Sequence, residues 1–239
     1  QPNLLCVKAC GQMSWIAYCM TGARPYMRRW WRALKTFPRR GRHSLPPSVL
    51  HDAAWWRRRL HDDAWRGSRI WFPEHAVPVF VMKSDASGEL GWGYHFGSSY
   101  DFGDWSSRQL SYSILYKELF PVIEAASRHG QDWSGSLIRV GLDNTGAVYA
   151  LNTGSTTDVP AQGLLRRLAD LSDRHQFDIV ASWVPREHNV TSDILSRLAG
   201  APHLRALLPH DFKRIRPGPA CPLTCLGKFV LSATPGSSL

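Results

Sequence analysis

Short hydrophobic runs separated by glycine- and serine-rich turns occupy the chain from about residue 77 to residue 198. Runs rich in β-branched and aromatic residues predict strands, and hydrophobic positions three and four apart predict helices. The predicted strands are residues 77–83, 90–96, 100–105, 137–142 and 177–184. The predicted helices are residues 111–128, 147–151, 161–175 and 192–198. This order predicts an α/β fold with a mixed five-stranded sheet flanked by helices.

The flanking segments have a different pattern. Residues 1–75 contain no strand runs and predict helices near residues 4–17, 25–34 and 48–63, the last with Ser48 as its N-cap. The last thirty or so residues are rich in proline and glycine, which is typical of a tail or linker. We therefore predict a helical, basic region over residues 1–75, an α/β domain over residues 76–200 and a tail over residues 201–239.

Charge is concentrated in the N-terminal region. The 239-residue chain has a formal net charge of +10 and a pI near 9.7, which favours a polyanionic partner, either nucleic acid or an acidic membrane face. Thirteen Lys/Arg and only three acidic residues lie between Arg24 and Arg69, so this segment carries the whole excess.

Two clusters in this segment combine tryptophan with arginine. The arginines are Arg28, Arg29 and Arg32 in the first cluster, and Arg57, Arg58 and Arg59 in the second. Such arginines can neutralise phosphates while tryptophan stacks on bases, or the tryptophans can form a helical core with the arginines in water. We expect tryptophan to be mostly core and arginine to contact phosphate or solvent.

The remaining composition limits the cellular setting. No apolar stretch approaches the 18 or so residues of a membrane span. Five cysteines, an odd number, suggest a reducing compartment, so we expect an intracellular protein, cytoplasmic or nuclear. Neither Cys6/Cys10 nor Cys221/Cys225 is completed to a zinc site by a neighbouring His or Cys cluster. The start at Gln1, inside a helical pattern, suggests a fragment of a longer polyprotein.

Four acidic residues are candidates for a shared site: Asp85, Glu118, Asp143 and Asp193. Asp85 and Asp143 each end an apolar run, Glu118 lies beside the apolar face of a predicted helix, and Asp193 opens the last helix. If the first and fourth strands are adjacent and parallel, the carboxylates meet at one sheet edge. Each acid alone could be a solvated surface group. Together they predict a site for hard divalent cations, with raised pKa values when no metal is bound.

The contexts of these acids resemble one known family. The blocks are residues 84–87 (Ser-Asp-Ala-Ser), 91–93 (Gly-Trp-Gly), 117–119 (Lys-Glu-Leu), 142–148 (Leu-Asp-Asn-Thr-Gly-Ala-Val) and 183–197 (Trp-Val-Pro-Arg-Glu-His-Asn-Val-Thr-Ser-Asp-Ile-Leu-Ser-Arg). They are similar to the ribonuclease H domain of retroelement reverse transcriptases. The resemblance is strongest to DIRS-type retrotransposons and more distant to hepadnavirus and gypsy-type enzymes. The resemblance covers about residues 77–200, and the basic segment before it resembles a connection region.

The resemblance implies a ribonuclease H-like fold and hydrolysis of the RNA strand of RNA·DNA hybrids. It also implies two Mg²⁺ ions, with Mn²⁺ as an alternative, one activating a water and the other stabilising the departing 3′ oxygen. Asp85 would bridge the ions, and the other three acids would complete their coordination. Asn144, Arg197 and the six clustered arginines are expected to contact nucleic acid. A polymerase domain is expected upstream, because this chain lacks the polymerase Asp-Asp motif.

Two positions depart from the family pattern. Trp183 stands where the family often has His or Tyr, which we interpret as a packing change, and His188 is the nearest match to a mobile histidine that assists product release in some members. An inactive or co-opted fragment that binds nucleic acid without cleaving it is the main alternative. Transposases and integrases of the same fold end in a catalytic Glu, and proofreading exonucleases place Asp-x-Glu on the first strand, where this chain has Asp-Ala-Ser.

Overall fold

The structure of the protein is a computed structural model that describes residues 2–20, 22–37, 44–61 and 79–215, with side chains from residue 6 onward. The helices are α1 (Pro2–Cys19), α2 (Arg28–Thr36), α3 (Pro47–Leu60), α4 (Ser107–Leu110), α5 (Ile114–His129), α6 (Thr145–Thr153), α7 (Val159–His175) and α8 (Val190–Arg197). The strands are β1 (Val79–Ala86), β2 (Trp92–Phe96), β3 (Ser99–Gly103), β4 (Leu137–Leu142), β5 (Asp178–Trp183) and β6 (Lys213–Arg214). Short 3₁₀ helices cover Arg24–Tyr26, Arg186–His188 and Pro202–Leu207.

The described strands form one mixed sheet in the order β5-β4-β1-β2-β3-β6. β1 pairs antiparallel with β2 and parallel with β4, and β4 pairs parallel with β5. The predicted α/β fold class is therefore confirmed: a mixed sheet flanked by helices, with a helical N-terminal region. The sheet has six strands rather than five, because the two residues of β6 pair with β3.

The core lies between the sheet and two long helices. Alternate residues of adjacent strands, including Met82, Ile138 and Val140, are fully buried and belong to one cluster with residues of α5 and α7. The strand period of two and the helix period near 3.6 each place a continuous apolar face inward. This packing fixes α5, and with it Glu118, relative to the ends of β1 and β4.

Helix α8 covers the other face of β1 and β2 at unusually short range. A Cβ added to Gly93 would lie 2.4 Å from Cβ of Leu195 and 2.7 Å from its carbonyl carbon. Only glycine accommodates this approach. Gly93 is paired with Asp85 in the sheet, so the close contact also brings α8 against the residue at the end of β1.

The N-terminal helices pack on α7 through polar as well as apolar contacts. Asp52 is fully buried and accepts hydrogen bonds from Arg29 Nη1 at 3.0 Å and Arg166 Nη2 at 3.2 Å. The hydroxyl of Tyr26 donates to the carboxylate of Asp170 at 2.8 Å. These contacts join the helical region to the α/β domain within the described residues.

Several local expectations are corrected. Ser48 does not cap α3, because Pro46 takes the N-cap position and Pro47 begins the helix. Helix α8 begins at Val190 rather than near Ser192, with Asn189 at the N-cap position. Helix α5 begins at Ile114, later than predicted, and continues through Pro121.

The first part of the predicted tail lies against the sheet. Arg214 of β6 donates to Asp101 at 3.1 Å, and Arg128 from α5 forms an ion pair with the same buried carboxylate. The domain boundaries predicted from the sequence stay a prediction. The sequence analysis also used residues that lie outside the described ranges, for the charge of the N-terminal region, the cysteine pairs and the tail. They are Arg39, Arg40, Arg42, Arg66, Arg69, Cys221, Cys225 and residues 216–239. Among the described helices, none is both long and apolar enough to cross a bilayer.

Candidate metal centre

Asp85 and Asp143 meet at the carboxyl end of two parallel strands. Lys83 is aligned with Gly141 as the last pair of the β1–β4 ladder, and each aspartate lies two residues beyond this pair. Because side chains alternate along a strand, a two-residue step keeps both carboxylates on the same side of the sheet. The predicted adjacency of the first and fourth strands is thus found.

Glu118 completes a cluster of three acids. One carboxylate oxygen from each of Asp85, Glu118 and Asp143 lies within 4.8 Å of the others. Glu118 extends from the first half of α5 and is only 5% exposed. Its Oε2 is buried and has no hydrogen-bond partner among the described residues. A buried carboxylate oxygen without a donor is a position at which a cation can bind.

Burial and the charges of neighbouring acids both favour protonation of Glu118 and Asp85. Burial, assisted by the charges of Asp85 and Asp143, raises the pKa of Glu118 to about 9. Burial also raises the pKa of Asp85, although a hydrogen bond from Ser196 opposes the rise, and the charges of Asp143 and Asp193 add to it. The expected upward pKa shift is therefore present at Glu118 and Asp85, with loss of hydration as its main cause rather than repulsion alone.

Asp193 lies outside the group of three. Its Oδ1 accepts from Arg186 Nη2 at 3.2 Å and from Arg197 Nη2 at 2.7 Å. The side chain of Asp193 is 28% exposed, and that of Arg186 is 70% exposed. Arg197, predicted to contact nucleic acid, is thus engaged with the fourth acid. The contact with Arg186 is a feature that sequence reasoning missed.

Ser196 links Asp193 to the cluster. Its hydroxyl donates to Asp85 Oδ2 at 2.7 Å and also lies 2.9 Å from the carbonyl oxygen of Asp193. Ser196 is fully buried. The sequence indicated this serine only as part of a motif, and its spacing of three from Asp193, one helical turn, is the signal that could have assigned it a role.

Two further buried side chains hold the elements of the site together. Asn189 Nδ2 donates to the carbonyl oxygen of Ser84 at 3.0 Å, which ties the start of α8 to β1. Lys117 Nζ donates to the carbonyl oxygens of Gly88 at 2.6 Å and Leu110 at 3.0 Å, which ties the turn after β1 to α5. Neither role was foreseen, because all three bonds end on backbone carbonyl oxygens, whose positions no side-chain pattern indicates.

Trp183 stands at the rim of the cluster. Its Nε1 donates to the carbonyl oxygen of Asp143 at 3.1 Å, while the residue is 54% exposed. The interpretation of Trp183 as a packing change stays a prediction. His188 is exposed, and its carbonyl oxygen accepts from Lys83 Nζ at 2.7 Å. Asn144 Oδ1 caps α6 by accepting from the amide of Ala147 at 3.0 Å.

The predicted nucleic-acid-binding arginines fall into two groups. Arg29 and Arg59 form ion pairs with Asp52 and Asp173 respectively. The exposed or partly exposed remainder are Arg28, Arg32, Arg57 and Arg58. The expectation for tryptophan agrees with the structure in part: Trp30 and Trp56 are buried, whereas Trp31 is 43% exposed.

The donor set fits a hard divalent cation. All three clustered side chains offer carboxylate oxygens, which Mg²⁺, Mn²⁺ and Ca²⁺ prefer, and no thiolate or imidazole that would favour Zn²⁺ belongs to the group. Coordination would also satisfy the unpartnered Oε2 of Glu118. The residues present are therefore suited to hold such an ion.

Comparisons with known proteins identify structural neighbours only. No protein-family model matches the sequence, and no curated protein matches it. A ribonuclease H1 from Halobacterium salinarum is similar at 16% identity, with a TM-score of 0.40, 52% of this chain covered and 97% of that one. An N-terminal ribonuclease H domain from Mycobacterium tuberculosis is similar at 15% identity, with a TM-score of 0.38. That match covers 54% of this chain and 99% of the other.

One neighbour is a viral enzyme. The foamy viral protease-reverse transcriptase, solved with an RNA/DNA hybrid, is 12% identical with a TM-score of 0.36, and the match covers 71% of this chain and 28% of that one. At such identities and TM-scores, these likenesses carry no argument about activity. The DIRS-like assignment remains a prediction from the sequence motifs.

Proposed function

We propose that this protein is a metal-dependent endonuclease that hydrolyses the RNA strand of RNA·DNA hybrids as part of a retroelement reverse transcriptase. The observation that carries the proposal is the convergence of Asp85, Glu118 and Asp143, whose carboxylate oxygens lie within 4.8 Å of one another at the ends of two parallel strands. The retroelement context is supported by the sequence motifs that surround these acids.

Asp85, Glu118 and Asp143 would hold the divalent cations. Asp193 is linked to Asp85 through the hydroxyl of Ser196. Two such ions supply the charge that stabilises the attacking and departing oxygens of an in-line phosphodiester displacement. Ser196 orients the carboxylate of Asp85, and Trp183 holds the backbone carbonyl of Asp143. The protein's own residues thus fix the positions of the acids before substrate arrives.

Substrate binding in this proposal depends on backbone shape and charge. The exposed arginines near Trp31 and Trp55 offer cations for phosphates. Base-specific contacts have no support in the sequence or in the site. A hybrid duplex is recognised through its backbone and groove geometry, which agrees with such a surface.

A labelled hybrid tests this proposal. The full chain is incubated with a duplex of labelled RNA and DNA in Mg²⁺, in Mn²⁺ and in chelator, and duplex RNA and duplex DNA serve as comparison substrates. We expect cleavage of the RNA strand of the hybrid only, and only with metal. Asp143→Asn should lower the rate roughly 10³-fold, since several kcal/mol of charge stabilisation depend on this ligand. Asp211→Asn, an exposed acid, is the matched control.

The alternative is a fragment that binds nucleic acid without cleaving it. One observation favours it: only three of the four acids converge, because Asp193 is paired with Arg186 and Arg197. Salt-dependent hybrid binding with no cleavage in either metal, and identical behaviour of Asp143→Asn and the wild type, would support this alternative and contradict the nuclease proposal.

A further inference from the structure

A basic groove lies between α2 and the segment that joins α6 to α7. One cavity of about 650 Å³ is lined by five cationic side chains and by several hydroxyl and amide groups. No acidic residue is among its described lining residues. The cations are Arg28, Arg29, Arg32, Lys35 and Arg166.

Three of these cations follow from the period of one helix. Arg28, Arg32 and Lys35 are spaced by four and three residues, so they project from the same face of α2. No ion pair of these three is found among the described residues. Trp31, between them in sequence, also lines the cavity and is 43% exposed. The face is therefore a row of free cations beside an accessible aromatic ring.

Arg166 supplies an independent sign that the cavity takes an anion. It is 8% exposed, and its Nε is buried without a hydrogen-bond partner among the described residues. Its guanidinium lies 5.7 Å from the centroid of the Tyr26 ring and pairs with Asp52, a carboxylate that it shares with Arg29, so one anion faces two guanidinium groups. Burial lowers the pKa of Arg166 against the attraction of Asp52, so the charge of this guanidinium is only partly compensated. An anion in the cavity would compensate it.

The shape of the groove distinguishes a chain from a small anion. A second cavity of about 640 Å³ shares Arg28, Trp31 and Lys35 with the first and extends to Arg24 and to Thr153 at the end of α6. Cations therefore line two neighbouring cavities with shared lining residues rather than one closed cup. An elongated polyanion with regularly spaced charges matches this arrangement better than a single phosphate ion.

We propose that this groove binds the phosphate backbone of the nucleic acid that the metal centre cleaves. The inference rests on the proposed function for the identity of the polymer. Helix α6 begins beside Asp143 and ends at the groove, so its nine residues separate the two places by about 14 Å. With a rise of about 3.4 Å per nucleotide along the axis of a duplex, that distance corresponds to roughly four nucleotides. One duplex can therefore occupy the groove and the metal centre together.

Binding measured without metal tests the groove apart from catalysis. The full chain is titrated into a fluorescently labelled hybrid in chelator, and the anisotropy gives Kd at several salt concentrations. The test variant is Arg28→Gln/Arg32→Gln/Lys35→Gln. Each lost phosphate contact removes a salt slope of about 0.9, so the slope should become shallower by about 2 to 3, and Kd should rise about 10- to 100-fold at physiological salt.

One variant with the same loss of charge is the control. Lys8→Gln/Arg139→Gln/Arg205→Gln removes exposed cations to which no role is assigned, and it should stay within about two-fold of the wild type. A further variant, Arg57→Gln/Arg58→Gln/Arg174→Gln, removes cations of a separate cleft near Trp55, and it should weaken binding less than the groove variant does. An equal loss of affinity in the control would mean that only net charge matters, and a larger loss in the further variant would place the main binding surface at the other cleft. Either result overturns the proposal.

A second variant and a second ligand complete the test. Thr157→Glu places a carboxylate at the exposed edge of the groove without removing any contact, and it should weaken hybrid binding about ten-fold. Inorganic tripolyphosphate is titrated in parallel by calorimetry. If it binds the wild type while hybrid affinity is unchanged in the groove variants, the groove serves a small polyphosphate and the proposal is wrong. Loss of hybrid binding in these variants, with no cleavage by the wild type, would keep the groove and reject the nuclease.

Discussion

Replacement of Asp52 is the sharpest test of how the N-terminal helices are attached. The carboxylate of Asp52 is fully buried between Arg29 and Arg166. Burial raises its pKa despite the two arginines, so the ionised group loses more hydration energy than the arginines return. The side chain of Arg166, 10% exposed, nevertheless depends on this anion, whereas that of Arg29, 32% exposed, can be hydrated instead.

Asp52→Asn should therefore lower the free energy of unfolding by about 3 kcal/mol. Breaking a buried pair from one side costs about 3–5 kcal/mol, and hydration of Arg29 places this case at the lower end. The double variant Asp52→Asn/Arg166→Gln removes both buried charges. It should recover most of the loss and unfold within about 1 kcal/mol of the wild type, because a neutral replacement of a buried pair is often nearly neutral in stability.

Urea unfolding followed by tryptophan fluorescence measures both values, with Asp211→Asn as the exposed control, which should change stability by less than about 0.5 kcal/mol. The reasoning is refuted if Asp52→Asn costs less than about 1 kcal/mol. It is refuted equally if the double variant is as unstable as the single one, since the loss would then not arise from the uncompensated arginine.

Three further outcomes follow from the site. The pKa of Glu118 is raised from 4.5 to about 9. In metal-free protein its contribution to stability is therefore complete below about pH 4.5 and is lost as the pH rises through about 9. The Tm from thermal unfolding should decline across this range, and Glu118→Gln should lack that decline. Gly93→Ala forces its Cβ against Leu195 and should cost about 1–3 kcal/mol in urea, whereas Gly163→Ala, with nothing within 4 Å, should cost far less. Ser196→Ala removes the hydroxyl that orients Asp85 and should lower hybrid cleavage about 10- to 100-fold in initial-rate assays, whereas Ser111→Ala, at the exposed residue that follows α4, should leave the rate unchanged.

The convergence of Asp85 and Asp143 was predictable because it depends on regular structure. Two strands of clear hydrophobic pattern end in acids, and a parallel pair brings such ends to one edge of a sheet. Glu118 was predictable for a similar reason, since the period of α5 fixes which residues lie beside its apolar face. The hydrophobic pattern carries this information locally.

Other features of the fold depend on contacts between residues distant in sequence, or on neighbouring prolines, which the hydrophobic pattern does not indicate. The two-residue strand β6 is too short to show a period, and its position depends on Arg214 binding the distant Asp101. Serine is a common N-cap residue, yet α3 starts before Ser48 because Pro46 and Pro47 take the N-cap and first helical positions. Trp183 follows a strand pattern, but its exposure depends on what lies beyond the edge of the sheet.

The charges around the four acids explain why they do not all converge. The pKa values of Glu118 and Asp85 are already raised, chiefly by burial, and a fourth negative charge in the same place would add repulsion. Asp193 instead lies at the edge, where Arg186 and Arg197 compensate it. The hydroxyl of Ser196 bridges Asp85 and the backbone carbonyl of Asp193. Asp193 therefore lies next to the cluster, while the two arginines compensate its charge. Cation binding in the cluster would reverse this balance, because added positive charge favours ionised Glu118 and attracts Asp193 away from the arginines.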